Sequence, residues 1–120
     1  MNPTSVEHPY SPAFDAGGMV FVSGALCVTA DEEVVGGRTA AVAAATGTLE
    51  RRLATVGLGL EHVCSTTYYV TDITLRDEAN AHFVTTYAEP RPARTFVEVA
   101  ALPYGCTVEI AAVATRQPQR

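Results

Sequence analysis

The sequence predicts one α+β domain in which helices cover one face of a sheet. Its 120 residues are enough for a single hydrophobic core and too few for two. Apolar residues recur every three or four positions in two segments, which predicts two amphipathic helices. Runs rich in β-branched and aromatic residues predict the order strand, helix, strand, helix, strand, strand. Residues 1–120 are therefore treated as one domain.

The first half of the chain predicts a strand and a long helix. Several prolines before residue 13 favour an extended or looped start. Met19–Ser23 lies between glycines and predicts a short apolar strand, with a brief further strand at Leu26–Thr29 left open. A helix begins near Thr39, and Gly57 ends it. Its predicted apolar face consists of Val42, Ala45, Leu49, Leu53 and Val56. Its other faces carry Glu50, Arg51 and Arg52.

The second half predicts a strand, a helix and a terminal hairpin. His62–Val70 is rich in β-branched and aromatic residues and predicts a strand. Asp72 or Thr74 caps a second helix, which Pro90 ends. Ala79, Phe83 and Tyr87 share one face of that helix. The segment at 102–105, "LPYG", predicts a turn that joins the last two strands.

The last two strands carry charged residues in their interiors. A two-residue period turns one face toward the helices, namely Val97, Val99, Val108, Ile110 and Ala112. The opposite face is then formed by Arg94, Phe96, Glu98, Glu109, Ala111 and Val113. Such a mixed face is typical of a subunit interface that contains a site. The alternative is a solvated cross-strand salt bridge, which would contribute under about 1 kcal/mol.

Charge and hydropathy exclude several classes of partner. The formal net charge is −5 and no cluster of lysines or arginines is present, which argues against nucleic acid as the main partner. No apolar run approaches the roughly 20 residues of a membrane helix. The start of the chain also has no signal-peptide pattern, so we expect a cytoplasmic protein without a membrane partner.

Cysteines and histidines give no sign of a metal site or disulfide framework. The three cysteines are odd in number and lack metal-ligand spacing, and each lies in an apolar run: Cys27, Cys64 and Cys106. The three histidines do not share a face with one another and a carboxylate: His8, His62 and His82. We therefore expect no metal.

Six segments of the chain are similar to the RidA/YjgF family, the reactive-intermediate imine deaminases once also described as small ribonucleases. They are "YSPA" at Tyr10–Ala13, "GGMVFVSG" at Gly17–Gly24, "YYVTDI" at Tyr68–Ile73, "PAR" at Pro92–Arg94, "VEVAALP" at Val97–Pro103 and "VEIAAVA" at Val108–Ala114. Their order and spacing extend the resemblance over nearly the whole chain.

The resemblance implies a chorismate-mutase-like fold, with a mixed sheet, two helices on one face and assembly as a homotrimer. It also implies active sites in the clefts between subunits. The expected reaction is hydrolysis of an enamine or imine acid, such as 2-aminoacrylate or 2-iminopropanoate, to a 2-keto acid and ammonia. Because imines hydrolyse readily in water, positioning and electrostatics can supply the catalysis, and no cofactor is expected.

The resemblance assigns roles to two charged residues and one aromatic residue. Arg94 matches the family arginine, whose planar fork suits a substrate carboxylate. Glu109 matches the glutamate that orients or activates water and stabilises the iminium. Phe96 stands where smaller residues are frequent in the family, which predicts an aromatic pocket wall. We expect Glu98 and Arg94 to be the charged neighbours of Glu109.

Three further residues match polar or aromatic groups of the family cleft: Tyr10, Ser23 and Asn80. Each also has an ordinary structural interpretation: a packing residue on an ordered arm, a turn residue at a strand end, and an exposed helix residue, respectively.

Other functions remain open from the sequence. A homotrimer that binds a small carboxylate without turnover would also keep Arg94. A pathway-specific relative would change the recognised side chain of the imine rather than the carboxylate contact. Ribonuclease activity is disfavoured by the acidic balance, and chorismate mutase activity would rest on the fold alone.

Overall fold

A computed structural model describes residues 8–117 as a five-stranded sheet with two helices. The elements are β1 (Ala13–Ala16), β2 (Met19–Leu26), α1 (Thr39–Ala54), β3 (Val63–Val70), α2 (Arg76–Thr86), β4 (Ala93–Glu98) and β5 (Val108–Thr115). The strand order is β1-β2-β5-β3-β4, and β3 and β4 run parallel while the other pairs are antiparallel. The predicted α+β fold, with a mixed sheet and two helices on one face, is confirmed.

The apolar period places α1 on the sheet as predicted. Val42, Ala45, Leu49 and Leu53 are fully buried. The helix ends at Ala54, so Val56 lies in the following turn, where Gly57 adopts a positive φ of 76°.

The second helix begins after a short 3-10 turn, Ile73–Leu75. Asp72 caps this turn, whereas the N-cap of α2 itself is Leu75, which makes no side-chain cap. The Asp72 carboxylate accepts hydrogen bonds from the backbone N–H of Thr74 at 2.9 Å and from its hydroxyl at 2.7 Å. Phe83 and the cap residue Tyr87 are buried. Neither α1 nor α2 is long and apolar enough to cross a lipid bilayer.

The short strand β1 was not predicted, because the prolines before it favoured a loop. It pairs with β2 through a tight turn at Gly17 and Gly18, whose φ angles are +67° and +98°. Asp15 stabilises this turn by accepting a hydrogen bond from the Gly18 N–H at 2.8 Å. The dipeptide Gly17-Gly18 was the available signal for a hairpin.

The predicted terminal hairpin is wrong. The last strand, β5, lies between β2 and β3, whereas β4 is an edge strand parallel to β3. The 99–107 connection crosses the end of β3, because Val99 N–H donates to the Val70 carbonyl at 2.8 Å and Thr71 N–H donates to the Thr107 carbonyl at 3.1 Å. A connection of this length allows β4 and β5 to lie on either side of β3.

The predicted faces are right for β5 and wrong for β4. Val108, Ile110 and Ala112 are buried toward the helices as expected. In β4, however, Arg94 pairs with Thr66 and Phe96 pairs with Tyr68, and both β3 partners are buried on the helix side. Val97 points the other way and is 37% exposed. The β4 side chains follow the register of β3, which local sequence does not specify.

We expect Asp72→Ala to lower the free energy of unfolding, because the 3-10 turn loses its cap. Asp72→Asn is the matched control, since it keeps an acceptor oxygen and removes the charge that lies 3.6 Å from Arg38. Urea titration of the two variants measures the effect. Equal losses in both would attribute the stabilisation to the ion pair instead of the cap.

Candidate functional site

One group of predicted residues gathers where α2 crosses the helix side of β4. The Arg94 guanidinium lies 5.1 Å from the ring centre of Phe83, 5.2 Å from Phe96 and 5.5 Å from Tyr68. Its Nη2 donates to the side-chain oxygen of Asn80 on α2. We call these five residues the arginine cluster. Three aromatic faces and one amide thus fix the orientation of the guanidinium.

The arginine cluster contains a cation without an anion. The Nη1 atom of Arg94 is buried and has no hydrogen-bond partner among residues 8–117. Burial lowers the pKa of Arg94, with a smaller contribution from nearby Arg76. An arginine nevertheless keeps its charge in proteins, so this buried donor favours an anionic partner.

The expected third charge, Glu98, is used elsewhere. Its Oε1 accepts a hydrogen bond from the Ile73 N–H at 2.9 Å, which anchors the turn before α2. The alternative of a cross-strand salt bridge between Arg94 and the glutamates is not found among residues 8–117, where Arg94 contacts Asn80 instead.

The second group of predicted residues lines a cleft of about 870 Å³ at the edge of the sheet. We call it the edge pocket. It lies where the free half of β2 meets the segment before β1, the second half of α1 and the 103–104 turn. Among its lining residues are Tyr10, Ser23, Gly24, Arg52, Tyr104 and Glu109.

Glu109 reaches the edge pocket because β2 has no side chain at Gly24. A Cβ atom on Gly24 would lie 2.7 Å from Cδ of Glu109, so any other residue would displace the carboxylate. The pairing of β2 and β5 shifts register between Val22 and Ala25, which places Gly24 in an irregular part of the strand.

Burial raises the pKa of Glu109, and the positive charge of Arg52 partly offsets the rise. The expected charged neighbours, Arg94 and Glu98, are thus replaced by a single arginine from α1. A carboxylate whose pKa is raised in a cleft holds a proton more readily, which suits proton transfer near neutral pH.

Tyr10 and Ser23 occupy the rim of the edge pocket. Tyr10 is 46% exposed and its ring stacks on His8, with centroids 4.9 Å apart. The Ser23 hydroxyl donates to the Ser11 carbonyl at 2.7 Å, and the Ser23 N–H donates to the Pro12 carbonyl at 3.0 Å. Ser23 therefore holds the chain segment that carries Tyr10.

The predicted site residues thus form two separate groups in one chain. Arg94, Asn80 and Phe96 lie in the arginine cluster, whereas Tyr10, Ser23 and Glu109 line the edge pocket. Arg94 shares a sheet face with Thr66, but Glu109 pairs with Tyr69, which points to the opposite face. The prediction that Arg94 and Glu109 share one face is wrong.

Sequence reasoning missed Arg52. Its position on the polar side of α1 is typical of a solvated residue, but the segment before β1 folds over that side and makes it part of the edge pocket. Two adjacent arginines near a helix C-terminus are also explained by the helix dipole, so no local signal marked it out.

Metal-ligating residues are not clustered in the described part of the chain. No group of three histidine, cysteine, aspartate or glutamate side chains within residues 8–117 could hold a metal ion. The three cysteines are free thiols.

The regions of this chain that match known proteins include both the arginine cluster and the edge pocket. The family model described as endoribonuclease L-PSP matches residues 2–116. DfrA of Myxococcus xanthus is 38% identical over 110 residues, which cover 88% of this chain and 84% of DfrA. The crystal structure of RidA from an Antarctic Psychrobacter matches with a TM-score of 0.85 at 30% identity, covering 92% of this chain and 91% of that one. The YjgF structure from E. coli has a TM-score of 0.85 at 29% identity, covering 96% and 93%.

We expect Glu109→Gln to stabilise the protein at pH 7. Because the pKa of Glu109 is raised in the folded state, the folded chain binds the proton more tightly than the unfolded chain, and stability falls as pH rises through that pKa. The glutamine variant avoids this loss, so its melting temperature should exceed that of the wild type. The difference should shrink toward about pH 4, where both states become protonated.

Thermal unfolding between pH 4 and 8 measures this difference. Glu50→Gln, on the exposed side of α1, is the control and should show no such trend. A Glu109→Gln variant less stable than the wild type at pH 7 would mean that the ionised carboxylate is favourably paired.

Proposed function

This chain belongs to the endoribonuclease L-PSP family, that of RidA and YjgF, and we propose that it is an imine deaminase. The proposed reaction hydrolyses enamine and imine acids, of the 2-aminoacrylate and 2-iminopropanoate type, to 2-keto acids and ammonia. It takes place in clefts between the subunits of a homotrimer, the assembly typical of the family.

The proposal of a cleft between subunits rests on the separation of Arg94 and Glu109. These two residues suit the two ends of an imino acid, but they lie on opposite sheet faces with β3 between their strands. A small substrate can contact both only if the arginine cluster of one subunit meets the edge pocket of another. A complete site therefore requires at least two copies of the chain.

The sheet face away from the helices supports such an assembly. Phe14 and Phe21 pair across β1 and β2 on this face and are 62% and 52% exposed. Met19 and Val97 are also exposed. Apolar surface of this kind on a folded domain favours contact with another subunit.

Arg94 is the proposed contact for the α-carboxylate of the substrate. Its free Nη1 donor and its orientation between three aromatic rings suit a planar carboxylate. Asn80 holds the guanidinium through Nη2, and Phe96 forms an apolar wall beside it. In this role the bound anion supplies the charge that the arginine cluster lacks.

Glu109 is the proposed general base and acid. As water adds to the imine carbon, Glu109 takes a proton from that water, and a tetrahedral carbinolamine forms. The imine reacts in its protonated form, so this carbinolamine is neutral. Glu109 then returns the proton to nitrogen and accepts the hydroxyl proton as the C–N bond breaks, so that ammonia leaves and the carbonyl of the keto acid forms. Transfer of that last proton to ammonia restores the Glu109 carboxylate. Burial raises the pKa of Glu109, which favours its role in accepting and returning a proton.

Tyr10 and Ser23 complete the proposed cleft. Tyr10 covers one side of the edge pocket, and Ser23 fixes the segment that carries it. The barrier to be lowered is small, because imines hydrolyse in water, so positioning and charge are sufficient without a cofactor.

A homotrimer that binds a carboxylate without turnover is the competing function, since a free Arg94 donor would serve it equally. Ribonuclease activity, which the family description names, is opposed by the net charge of −5, because phosphate binding favours a basic surface.

We expect Arg94→Ala to reduce kcat/KM about 100-fold, the scale of a lost bidentate charged contact. Arg94→Lys keeps the charge without the planar fork and should retain intermediate activity. Keto-acid and ammonia release is measured from imines generated in situ by an amino-acid oxidase, and size-exclusion chromatography checks the assembly. Wild-type protein that accelerates no imine would favour the carboxylate-binding alternative.

Mixed assemblies of Arg94→Ala and Glu109→Gln subunits should recover activity that neither variant has alone. In a cleft between subunits, an intact Arg94 from one variant meets an intact Glu109 from the other, so random mixing in a trimer restores about a quarter of the clefts. Co-expression of the two variants, followed by the same assay, tests this. Mixed assemblies as inactive as the parents would place the reaction within one subunit.

A further inference from the structure

Among residues 8–117, Arg52 is a cation of the edge pocket that has no ion-pair partner. It projects from α1, and its Nε atom is buried without a hydrogen-bond partner among the described residues. The neighbouring Arg51 differs, because its Nη2 donates to the Val28 carbonyl at 3.1 Å and to the Thr48 hydroxyl at 3.0 Å. Arg51 therefore has a structural role in the chain, whereas Arg52 retains unused donors.

The surroundings of Arg52 place it beside the proposed reaction centre. Its guanidinium carbon lies 5.7 Å from the ring centre of Tyr10. It is close enough to Glu109 to lower the pKa of that carboxyl, yet within residues 8–117 the two side chains make no ion pair at 4.0 Å or less. A cation and a carboxylate thus line one cleft without neutralising each other.

We propose that Arg52 binds a second anionic group, at the end of the substrate side chain, so that the preferred substrates are dicarboxylic imino acids. This inference rests on the proposed deaminase function and names its substrate class. Arg94 of one subunit contacts the α-carboxylate, Glu109 of another acts at the imine carbon, and Arg52 contacts the side-chain carboxylate.

The guanidinium of Arg52 favours substrates with an acidic side chain over substrates with an aliphatic one. A substrate with an aliphatic side chain would cover Arg52 without giving it a partner, which is unfavourable for a charge. A side-chain carboxylate would accept from its unused donors in a charge-assisted contact. Imines formed from aspartate or glutamate carry such a group, and those formed from alanine or leucine do not.

A different role for Arg52 makes a different prediction. If its stacking on Tyr10 only held that ring in place, or if its charge only adjusted the pKa of Glu109, its loss would alter the hydrolysis of all imines in similar proportion. Recognition of a side-chain anion instead changes the ratio between acidic and aliphatic substrates.

The test compares wild type, Arg52→Met and Arg51→Met on imines generated by amino-acid oxidases from alanine, leucine, aspartate and glutamate. Methionine keeps the aliphatic part of the side chain and removes its charge. We expect Arg52→Met to lower kcat/KM for the acidic imines about 10- to 100-fold, the scale of one charged contact. The aliphatic imines share only the loss of the Arg52 charge beside Glu109, so their kcat/KM should change less than that of the acidic imines, and Arg51→Met should keep the wild-type ratio.

Binding gives a second measurement that does not depend on turnover. Calorimetry with oxaloacetate, 2-oxoglutarate and pyruvate should show tighter binding of the two dicarboxylates to wild type, and Arg52→Met should abolish that difference. This result would support the role of Arg52 even if no imine were hydrolysed, in which case the deaminase proposal alone would fail.

Hydrolysis of alanine and leucine imines with no preference for acidic ones would overturn the role of Arg52 and leave the deaminase proposal intact. An Arg52→Met variant that slows all four substrates equally would also overturn it.

Discussion

The alternation of side chains across a sheet in fixed register is the constraint on which the rest of this structure depends. β3 pairs with β4 on one side and with β5 on the other, so its residues decide which face each neighbour presents. Arg94 pairs with Thr66, so its side chain points toward the helices. Glu109 pairs with Tyr69, so its side chain points away from them. The groups proposed for one reaction are thereby kept apart in the monomer, and self-association becomes part of the proposed chemistry.

The same arrangement leaves charges that the fold does not neutralise. Arg94 and Arg52 each have a buried nitrogen without a partner among residues 8–117, and Glu109 is partly buried beside a cation that it does not contact. Unpaired charge in such places opposes folding. The core formed by residues such as Tyr68, Leu49 and Ile110 must offset that cost. Clefts in which charge is left free in this way are typical of binding sites.

The spacing of apolar residues along the sequence predicted which face of an individual helix or strand is buried. The three-to-four-residue period identified the buried face of α1, and strict alternation identified the buried face of β5. The prediction for β4 was wrong because polar and apolar residues occur on both faces of residues 93–98. Only the pairing with β3, which is distant in sequence, decides which face points toward the helices. Arg52 was missed for a similar reason, since a segment far away in the sequence turns its position into a pocket wall. The resemblance assigned Asn80 to the same cleft as Tyr10, but it could not assign residues to faces of the sheet, and in the structure Asn80 contacts Arg94.

The stacking of Phe96 on Tyr68 has a consequence for how such a protein diversifies. The two rings lie 5.6 Å apart, and Tyr68 is among the largest fully buried side chains, so a change at Phe96 also disturbs the core. Tyr104 and Arg52, in contrast, line the edge pocket from a loop and from a helix side outside the core. Under the proposed function, substitutions that alter the wall beside Arg94 therefore cost stability, whereas substitutions at Tyr104 or Arg52 can change side-chain selectivity with little loss of stability.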